Sequence, residues 1–128
     1  MKQTVSAVLE ENISTIQQIF GQDKTVKNHR FQPLAVGGLR CCIFFVDGMV
    51  DSIRINESII QPICTLALPP AEGTAPLDFL LRQVLQVNET QKEDQMEALL
   101  RALLYGDTIL FLDGSDQALI LGSKGFAK

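Results

Sequence analysis

Residues Cys41–Val46 read CCIFFV and are followed by DGMVD at residues 47–51. Six consecutive apolar residues rich in aromatic and β-branched side chains predict a strand that is covered on both faces. The Asp-Gly pair after it predicts a turn. A second run, ILFL at residues 109–112, is likewise followed by Asp-Gly. We therefore expect these two runs to be the central strands of one sheet.

Helices are predicted on either side of these strands. Apolar residues recur at helical spacing over residues 5–20, and Gly21 is expected to end this first helix in a left-handed conformation. A second helix is predicted over residues 55–66, where Pro62 removes one backbone donor and should cause a kink or a displaced start. A third helix is expected to begin at Pro76.

Turn and cap motifs complete the prediction. Gly37-Gly38 indicates a turn that makes an antiparallel pair between an extended segment and the first central strand. TQKE at residues 90–93 has the pattern of a capping box at the start of a fourth helix. A final hairpin is predicted from residues 108–112 and 118–121. These elements predict a single small α/β domain, with a mixed sheet of about four strands and helices packed on its faces.

Composition narrows the class of protein. The chain has 128 residues, 46% hydrophobic and 20% charged, which is enough for one globular domain with its own core. Its formal net charge of -4 would repel a phosphate backbone, so we expect no nucleic-acid partner. The three cysteines have no CxxC spacing and are expected to be buried free thiols in a reducing compartment. No apolar run has membrane-spanning length, so the chain is expected to be soluble and cytosolic.

Asp47, Gly48 and Asp51 are the candidate ligand-binding residues. They follow the end of an apolar strand, which is where ligands collect in open α/β sheets, and two carboxylates there could hold a divalent cation. The competing interpretation, which we favour, is that Asp47-Gly48 forms a turn and Asp51 caps a helix.

Other polar residues give weaker signals. Asp107 and Asp113 flank the second apolar strand at opposite ends and should not converge on one ion. His29, the only histidine, is expected to be an ordinary surface residue. Arg30 and Arg40 bracket the first hairpin, where they could bind an anion together, although solvated charges are the favoured interpretation. No glycine motif matches a Walker loop or a dinucleotide fingerprint, so we predict no catalytic residue, no metal and no cofactor.

An ordered set of short motifs carries a resemblance to a known family. The motifs are LEENI at residues 9–13, IFG at 19–21, RF at 30–31, FVDGMVD at 45–51, INE at 55–57, PI at 62–63, LYGDT at 104–108 and LDG at 112–114. In order and spacing along essentially the whole chain, they resemble the A subunits of spore germinant receptors. The family often has Tyr-Ile-Asp-Gly-Leu where this chain has FVDGM, which keeps the Asp-Gly turn but loses a phenol.

The resemblance implies a place in a larger protein. Residues 1–128 would be the first subdomain of the amino-terminal soluble region of such an A subunit, an excised fragment of a longer membrane protein, on the cytosolic face of the inner spore membrane. It implies as partners the membrane B subunit, the C lipoprotein and the rest of the A subunit, together with a small-molecule germinant.

The sequence supports three functional hypotheses. The first is a non-enzymatic sensory or assembly domain acting in nutrient-triggered germination. The second is a domain that binds the germinant or a regulator near Asp47, Gly48 and Asp51. The third, which lacks further clustered ligands in the sequence, is a metal-dependent phosphohydrolase that uses Asp47 and Asp51.

Overall fold

The computed structural model describes residues 3–32, 39–64, 76–79 and 90–122. Its strands are β1 (Val26–Phe31), β2 (Cys41–Val46), β3 (Thr90–Glu93), β4 (Thr108–Leu112) and β5 (Ala118–Leu121). Its helices are α1 (Leu9–Phe20), α2 (Ser52–Ile55), α3 (Gln61–Cys64), α4 (Pro76–Phe79) and α5 (Met96–Leu104), and the π-helical segment Asn56–Ile60 joins α2 to α3.

The five strands form one sheet in the order β1-β2-β4-β5-β3. The single small α/β domain is confirmed. The sheet differs in detail from the prediction, because it has five strands instead of about four and the pairings between its neighbouring strands are antiparallel instead of mixed. The additional strand is β3, whose sequence reads locally as the start of a helix.

Strand β2 is central, as its apolar sequence predicts. Its first five residues are buried, and alternate side chains contribute to two separate cores. One face, with Cys41, Ile43 and Phe45, packs against the helical run from α2 to α3 and against Leu77. The other face, with Cys42 and Phe44, packs against α1 and α5. The domain therefore has three layers, and both faces of its central strands are buried.

Strand β4 has the same character as β2. All five of its residues are buried, and it pairs with β2 from Cys41↔Leu112 to Phe44↔Ile109. Phe44 and Phe111 meet edge to face, with ring centroids 6.0 Å apart and an interplanar angle of 85°, a geometry that aromatic pairs favour. The hairpin formed by β4 and β5 has the bounds that the sequence predicts.

The capping box at residues 90–93 was a wrong prediction. These residues form the edge strand β3, which pairs with β5 from Thr90↔Leu121 to Glu93↔Ala118. The Glu93 carboxylate accepts hydrogen bonds from the backbone N–H groups of Asp94 and Gln95, at 3.1 and 3.0 Å. Pairing with a buried apolar strand therefore overrides the local capping pattern, because it satisfies several backbone groups at once.

Helix α5 begins at Met96 without a side-chain cap. The Met96 N–H instead donates to the Gln3 carbonyl at 2.9 Å, and the Val5 N–H donates to the Asp94 carbonyl at 2.8 Å. The segment before α1 thus supplies the partner that a capping side chain would otherwise provide at this helix end.

Pro62 perturbs its helix in a specific way. The residues just before it form the π-helical segment, and the Gln61 N–H donates to the carbonyl of Asn56, five residues back. A proline ring clashes with the carbonyl four residues earlier in an α-helix, and the wider π turn relieves that contact. The expected disturbance at Pro62 therefore appears as a change of helix type.

Two other predictions have different outcomes. Gly21 follows α1 as expected, but its φ of -58° and ψ of -24° are right-handed, so the predicted left-handed conformation was wrong. The antiparallel pairing of β1 with β2 is confirmed. Its predicted turn at Gly37-Gly38, and most of the helix predicted to begin at Pro76, lie outside the described residues.

Candidate functional site

Asp47, Gly48 and Asp51 lie together in the connection from β2 to α2. Asp51 Oδ1 accepts a hydrogen bond from the Ile53 N–H at 3.0 Å, which is the capping role favoured from the sequence. The Asp47 N–H donates to the Thr25 carbonyl at 2.7 Å, and Gly48 has a φ of +96°, as a glycine in a tight turn does. Ligand binding at these three residues stays a prediction.

A cavity of about 360 Å³ lies at the opposite end of β2, where β1 ends. It is lined by residues of α1, β1 and the start of β2, namely Leu9, Glu10, Arg30, Phe31, Gln32, Arg40 and Cys41. We call it the arginine cavity. The structure thus brings Arg30 and Arg40 to one site, which the sequence suggested, and adds Glu10 between them, which the sequence did not.

The ladder between β1 and β2 explains why Arg30 faces α1. Arg30 is opposite Cys42, whose side chain belongs to the core beneath α1 and α5. Glu10 is in the first turn of α1, directly after the buried Leu9. Arg40 is held next to the end of β4, because its carbonyl accepts a hydrogen bond of 2.9 Å from the Asp113 N–H.

Four charged side chains form a chain of ion pairs at this cavity. Arg30 Nη1 lies 2.6 Å from Glu10 Oε1, and Arg40 Nη2 lies 3.8 Å from the same oxygen. Arg40 Nε is 3.5 Å from Asp113 Oδ2. The side chains of Arg30 and Arg40 are 51% and 46% exposed, so these pairs are screened by water and stabilise the fold only weakly.

Asp107 and Asp113 have separate roles, as predicted. Asp113 is in the turn after β4, where its Oδ1 accepts a hydrogen bond from the Leu9 N–H at 2.9 Å. Asp107 precedes β4 at the other end and helps to line a second cavity of about 240 Å³, together with Arg101 and Tyr105. The two carboxylates do not form one site.

His29 is exposed on edge strand β1, with its ring centroid 6.3 Å from that of Phe31. This agrees with the surface role expected for it. Among the described residues, no group of three or more His, Cys, Asp or Glu side chains is placed to hold a metal ion. The predicted phosphohydrolase site at Asp47 and Asp51 thus gains no further ligand from the described part of the fold.

The cysteines are free thiols, as expected, but their environments differ. Cys41 and Cys42 are buried in β2, whereas Cys64 at the end of α3 is exposed, so its predicted burial was wrong. Burial raises the pKa of Cys41 and of Cys42 to about 12. Both are therefore uncharged at neutral pH, and they contribute to the two cores as small apolar side chains.

Comparison with known proteins assigns the family. A sequence model described as "Bacillus/Clostridium GerA spore germination protein" matches residues 14–128, which is most of the chain. The chain belongs to the GerA family of spore germination proteins. The resemblance seen in the ordered motifs is thereby confirmed.

Two curated GerA-type relatives match the chain. Spore germination protein KA of Bacillus subtilis (strain 168) is 24% identical over 121 residues, which are 94% of this chain and 22% of the relative. Spore germination protein GerLA of Bacillus cereus is 25% identical over 96 residues, which are 74% of this chain and 19% of the relative. The chain thus spans about a fifth of the length of these relatives.

A solved structure shares the fold. It is the N-terminal domain of the A subunit of the Bacillus megaterium spore germinant receptor GerK3, with a TM-score of 0.73 and 21% sequence identity. The match covers 94% of this chain and 48% of the solved one. In the described part of this GerA chain, no helix is long and apolar enough to cross a bilayer.

Several of the family-like motifs have structural roles in this fold. Asn12 of the LEENI motif is buried and bonds the segment before α1, and Asp113 of the LDG motif caps α1. Gly106 of the LYGDT motif has a φ of +100°. The sequence indicated turns at both Asp-Gly pairs from local patterns. The contact between α1 and the turn after β4 involves residues far apart in sequence, so no local pattern could have revealed it.

Proposed function

We propose that this chain is a non-enzymatic sensory or assembly domain of a spore germinant receptor, and that it acts through contacts with the other subunits and with the rest of its own A subunit. The GerA family match over residues 14–128 carries this proposal. The shared fold with the N-terminal domain of a germinant receptor A subunit supports it. On this proposal, residues 1–128 form the first subdomain of the region that precedes the membrane part of the receptor, on the cytosolic face of the inner spore membrane.

Exposed apolar side chains at one end of the sheet support a contact role. Met49 follows β2 and Tyr105 precedes β4, and these strand ends lie next to each other because β2 and β4 are antiparallel. Met49 Cε is 3.2 Å from where a Cβ on Gly106 would lie, so Met49 packs against the turn that carries Tyr105. Met49 is 40% exposed, Leu104 59% and Tyr105 68%. Large apolar groups exposed next to one another are typical of interaction sites.

The test is a substitution in the full-length receptor subunit, expressed in spores with its partner subunits. Tyr105→Glu places a charge at the exposed turn, since the Tyr105 side chain is 68% exposed. We expect slower or absent nutrient-triggered germination, followed as the fall in optical density. Ile19→Glu is the matched control, because Ile19 is likewise a large apolar side chain that is exposed, at 50%, but it lies on α1.

Subunit levels separate the two forms of the proposal. An assembly role predicts that Tyr105→Glu lowers the amounts of the partner subunits in spore membranes, measured by immunoblot. A sensory role predicts normal amounts with a lost response. Deletion of residues 1–128 from the parent with germination unchanged would overturn both forms.

A further inference from the structure

We propose that the arginine cavity binds a small oxyanion, a carboxylate or phosphate group, between Arg30 and Arg40. This site is separate from Asp47, Gly48 and Asp51, and it does not depend on the proposed receptor role. Its two guanidinium groups come from the end of β1 and from the residue just before β2, and they reach the same cavity because these strands are antiparallel neighbours.

The Glu10 carboxylate shows which chemistry the two arginines recognise. A single oxygen of Glu10 lies 2.6 Å from Arg30 Nη1 and 3.8 Å from Arg40 Nη2. Guanidinium groups present several N–H donors in a planar fork that matches carboxylate and phosphate oxygens. The cavity therefore already holds one carboxylate at the position where an external oxyanion would bind.

Arg40 has donors to offer such a ligand. Its ion pairs with the described residues Glu10 and Asp113, at 3.8 and 3.5 Å, are both longer than an N–H···O hydrogen bond. Its side chain is 46% exposed, so a ligand can reach it from solvent. A ligand oxygen at hydrogen-bonding distance would make a better contact than either carboxylate makes in this structure.

The surroundings add an apolar wall. Leu9 and Phe31 line the cavity. The first turn of α1 also lies at the cavity, but its Leu9 N–H already donates to the Asp113 carboxylate at 2.9 Å, so the helix end adds little positive charge. A carboxylate on an aromatic or aliphatic body would use the arginines and the apolar wall, whereas inorganic phosphate would use only the arginines.

Glu10 is also the main competitor for the ligand. An incoming oxyanion must displace the Glu10 carboxylate from Arg30. The Asp113 carboxylate also lowers the positive electrostatic potential around Arg40, so binding to the unmodified chain should be weak. Removing the charge of Glu10 should therefore tighten binding. A cavity that instead took a cation, or that required Glu10 for its ligand, would respond to the loss of Glu10 in the opposite direction.

The experiment is an NMR titration of the 128-residue chain, labelled with 15N, at constant low ionic strength. The probes are acetate, benzoate and inorganic phosphate. We expect saturable shifts of the backbone signals of Leu9 and Glu10 and of the Arg40 Nε–H signal for at least one probe. Tighter binding of benzoate than of acetate would identify a carboxylate with an apolar body, and a preference for phosphate would identify a phosphate group.

Variants test the assignment. Arg40→Gln and Arg30→Gln should each weaken binding at least tenfold, and Glu10→Gln should tighten it severalfold. Arg40→Lys keeps the charge but loses the planar set of N–H donors, so it should also weaken binding. It replaces Arg40→Gln in the test if that variant is poorly folded. The matched control is Arg101→Gln, which breaks a more exposed arginine–carboxylate pair, with Glu97, on α5 and away from the cavity.

Two results would overturn the proposal. One is a linear, non-saturating response of the unmodified chain and of Glu10→Gln to all three probes. The other is binding that is unchanged in a folded Arg40→Gln or Arg40→Lys variant. Binding that is weakened by Arg101→Gln as much as by Arg40→Gln would count in the same way.

Discussion

Asp113 Oδ1 accepts a hydrogen bond of 2.9 Å from the backbone N–H of Leu9, which lies 104 positions earlier in the chain. Leu9 is the first residue of α1, and Val8 before it gives no side-chain cap. The Gly114 N–H also donates to the Ala7 carbonyl at 2.7 Å. The turn between β4 and β5 therefore caps α1 from a distance and fixes where the helix begins.

Asp113→Ala should destabilise the domain by about 1 kcal/mol, which is typical for loss of a helix cap. Asp113→Asn keeps an oxygen acceptor for the Leu9 N–H and should therefore lose less stability than Asp113→Ala. Asp116→Ala is the control, since Asp116 is exposed in the same turn. Urea unfolding followed by circular dichroism measures all three. Equal midpoints for Asp113→Ala and Asp116→Ala would show that the capping bond contributes nothing.

A second prediction concerns Asn12, which is 1% exposed. Its Nδ2 donates to the Ser6 carbonyl and its Oδ1 accepts from the Ser6 N–H, both at 2.8 Å. Asn12→Ala should cost about 2 to 3 kcal/mol, because it creates a cavity and leaves two backbone groups without these partners. Asn12→Asp should also be destabilising, since a carboxylate cannot donate to the Ser6 carbonyl. Denaturant unfolding is again the measurement, and Thr15→Ala on the same helix is the control.

The central strands could be predicted from sequence because their signal is local. CCIFFV and ILFL are continuous apolar runs, and each is buried on both faces in the structure. The β4 to β5 hairpin was also correct to the residue, since an Asp-Gly turn sits between two apolar segments. A strand that is buried on both faces and a tight turn are each encoded by a few consecutive residues, so a short segment of sequence is enough to recognise them.

The misassigned parts depend on contacts between distant segments. Thr90–Glu93 matches a capping box, but it pairs with β5, which lies well over 20 residues further along the chain. At the arginine cavity, the local hairpin pattern suggested that Arg30 and Arg40 meet, whereas Glu10 reaches them only because α1 packs against the sheet. A single sequence does not show which helix residue meets such a pair.

Gly106 gives a third prediction, in which backbone strain and a close contact act together. Its φ is +100°, and a Cβ there would lie 3.2 Å from Met49 Cε. Gly114 has a φ of +88° with nothing within 4 Å of the same position. Gly114→Ala should therefore cost about 1 kcal/mol from the backbone alone, and Gly106→Ala should cost more.

The difference between these two alanine variants measures the Met49 contact. Adding Met49→Ala to Gly106→Ala should recover part of the extra loss, because it removes the side chain that the new methyl group meets. The double-mutant cycle compares the thermal unfolding of the unmodified chain, Met49→Ala, Gly106→Ala and the double variant. If Gly106→Ala is no less stable than Gly114→Ala, the close approach of Met49 has no energetic consequence.

The fourth prediction follows from the buried thiols of β2. Burial is the main cause that raises the pKa of Cys41 and of Cys42 to about 12, from 9.0 for an unperturbed thiol. The unfolded chain therefore begins to release these protons near pH 9, while the folded chain holds them until about pH 12. The stability that the neutral thiols contribute is complete below pH 9 and is lost as the pH rises through this window.

Each thiol can add at most about 1.4 kcal/mol of destabilisation per pH unit within that window. Other side chains also contribute to the pH dependence of stability, so the unmodified chain must be compared with Cys41→Ala/Cys42→Ala. Urea unfolding at several pH values between about 8 and 11 should give a shallower decline for this double variant, whatever its stability at neutral pH. Cys64→Ala is the control and should keep most of the slope, because Cys64 is exposed. Parallel declines in the double variant and the unmodified chain would mean that the two thiols titrate alike in the folded and unfolded states.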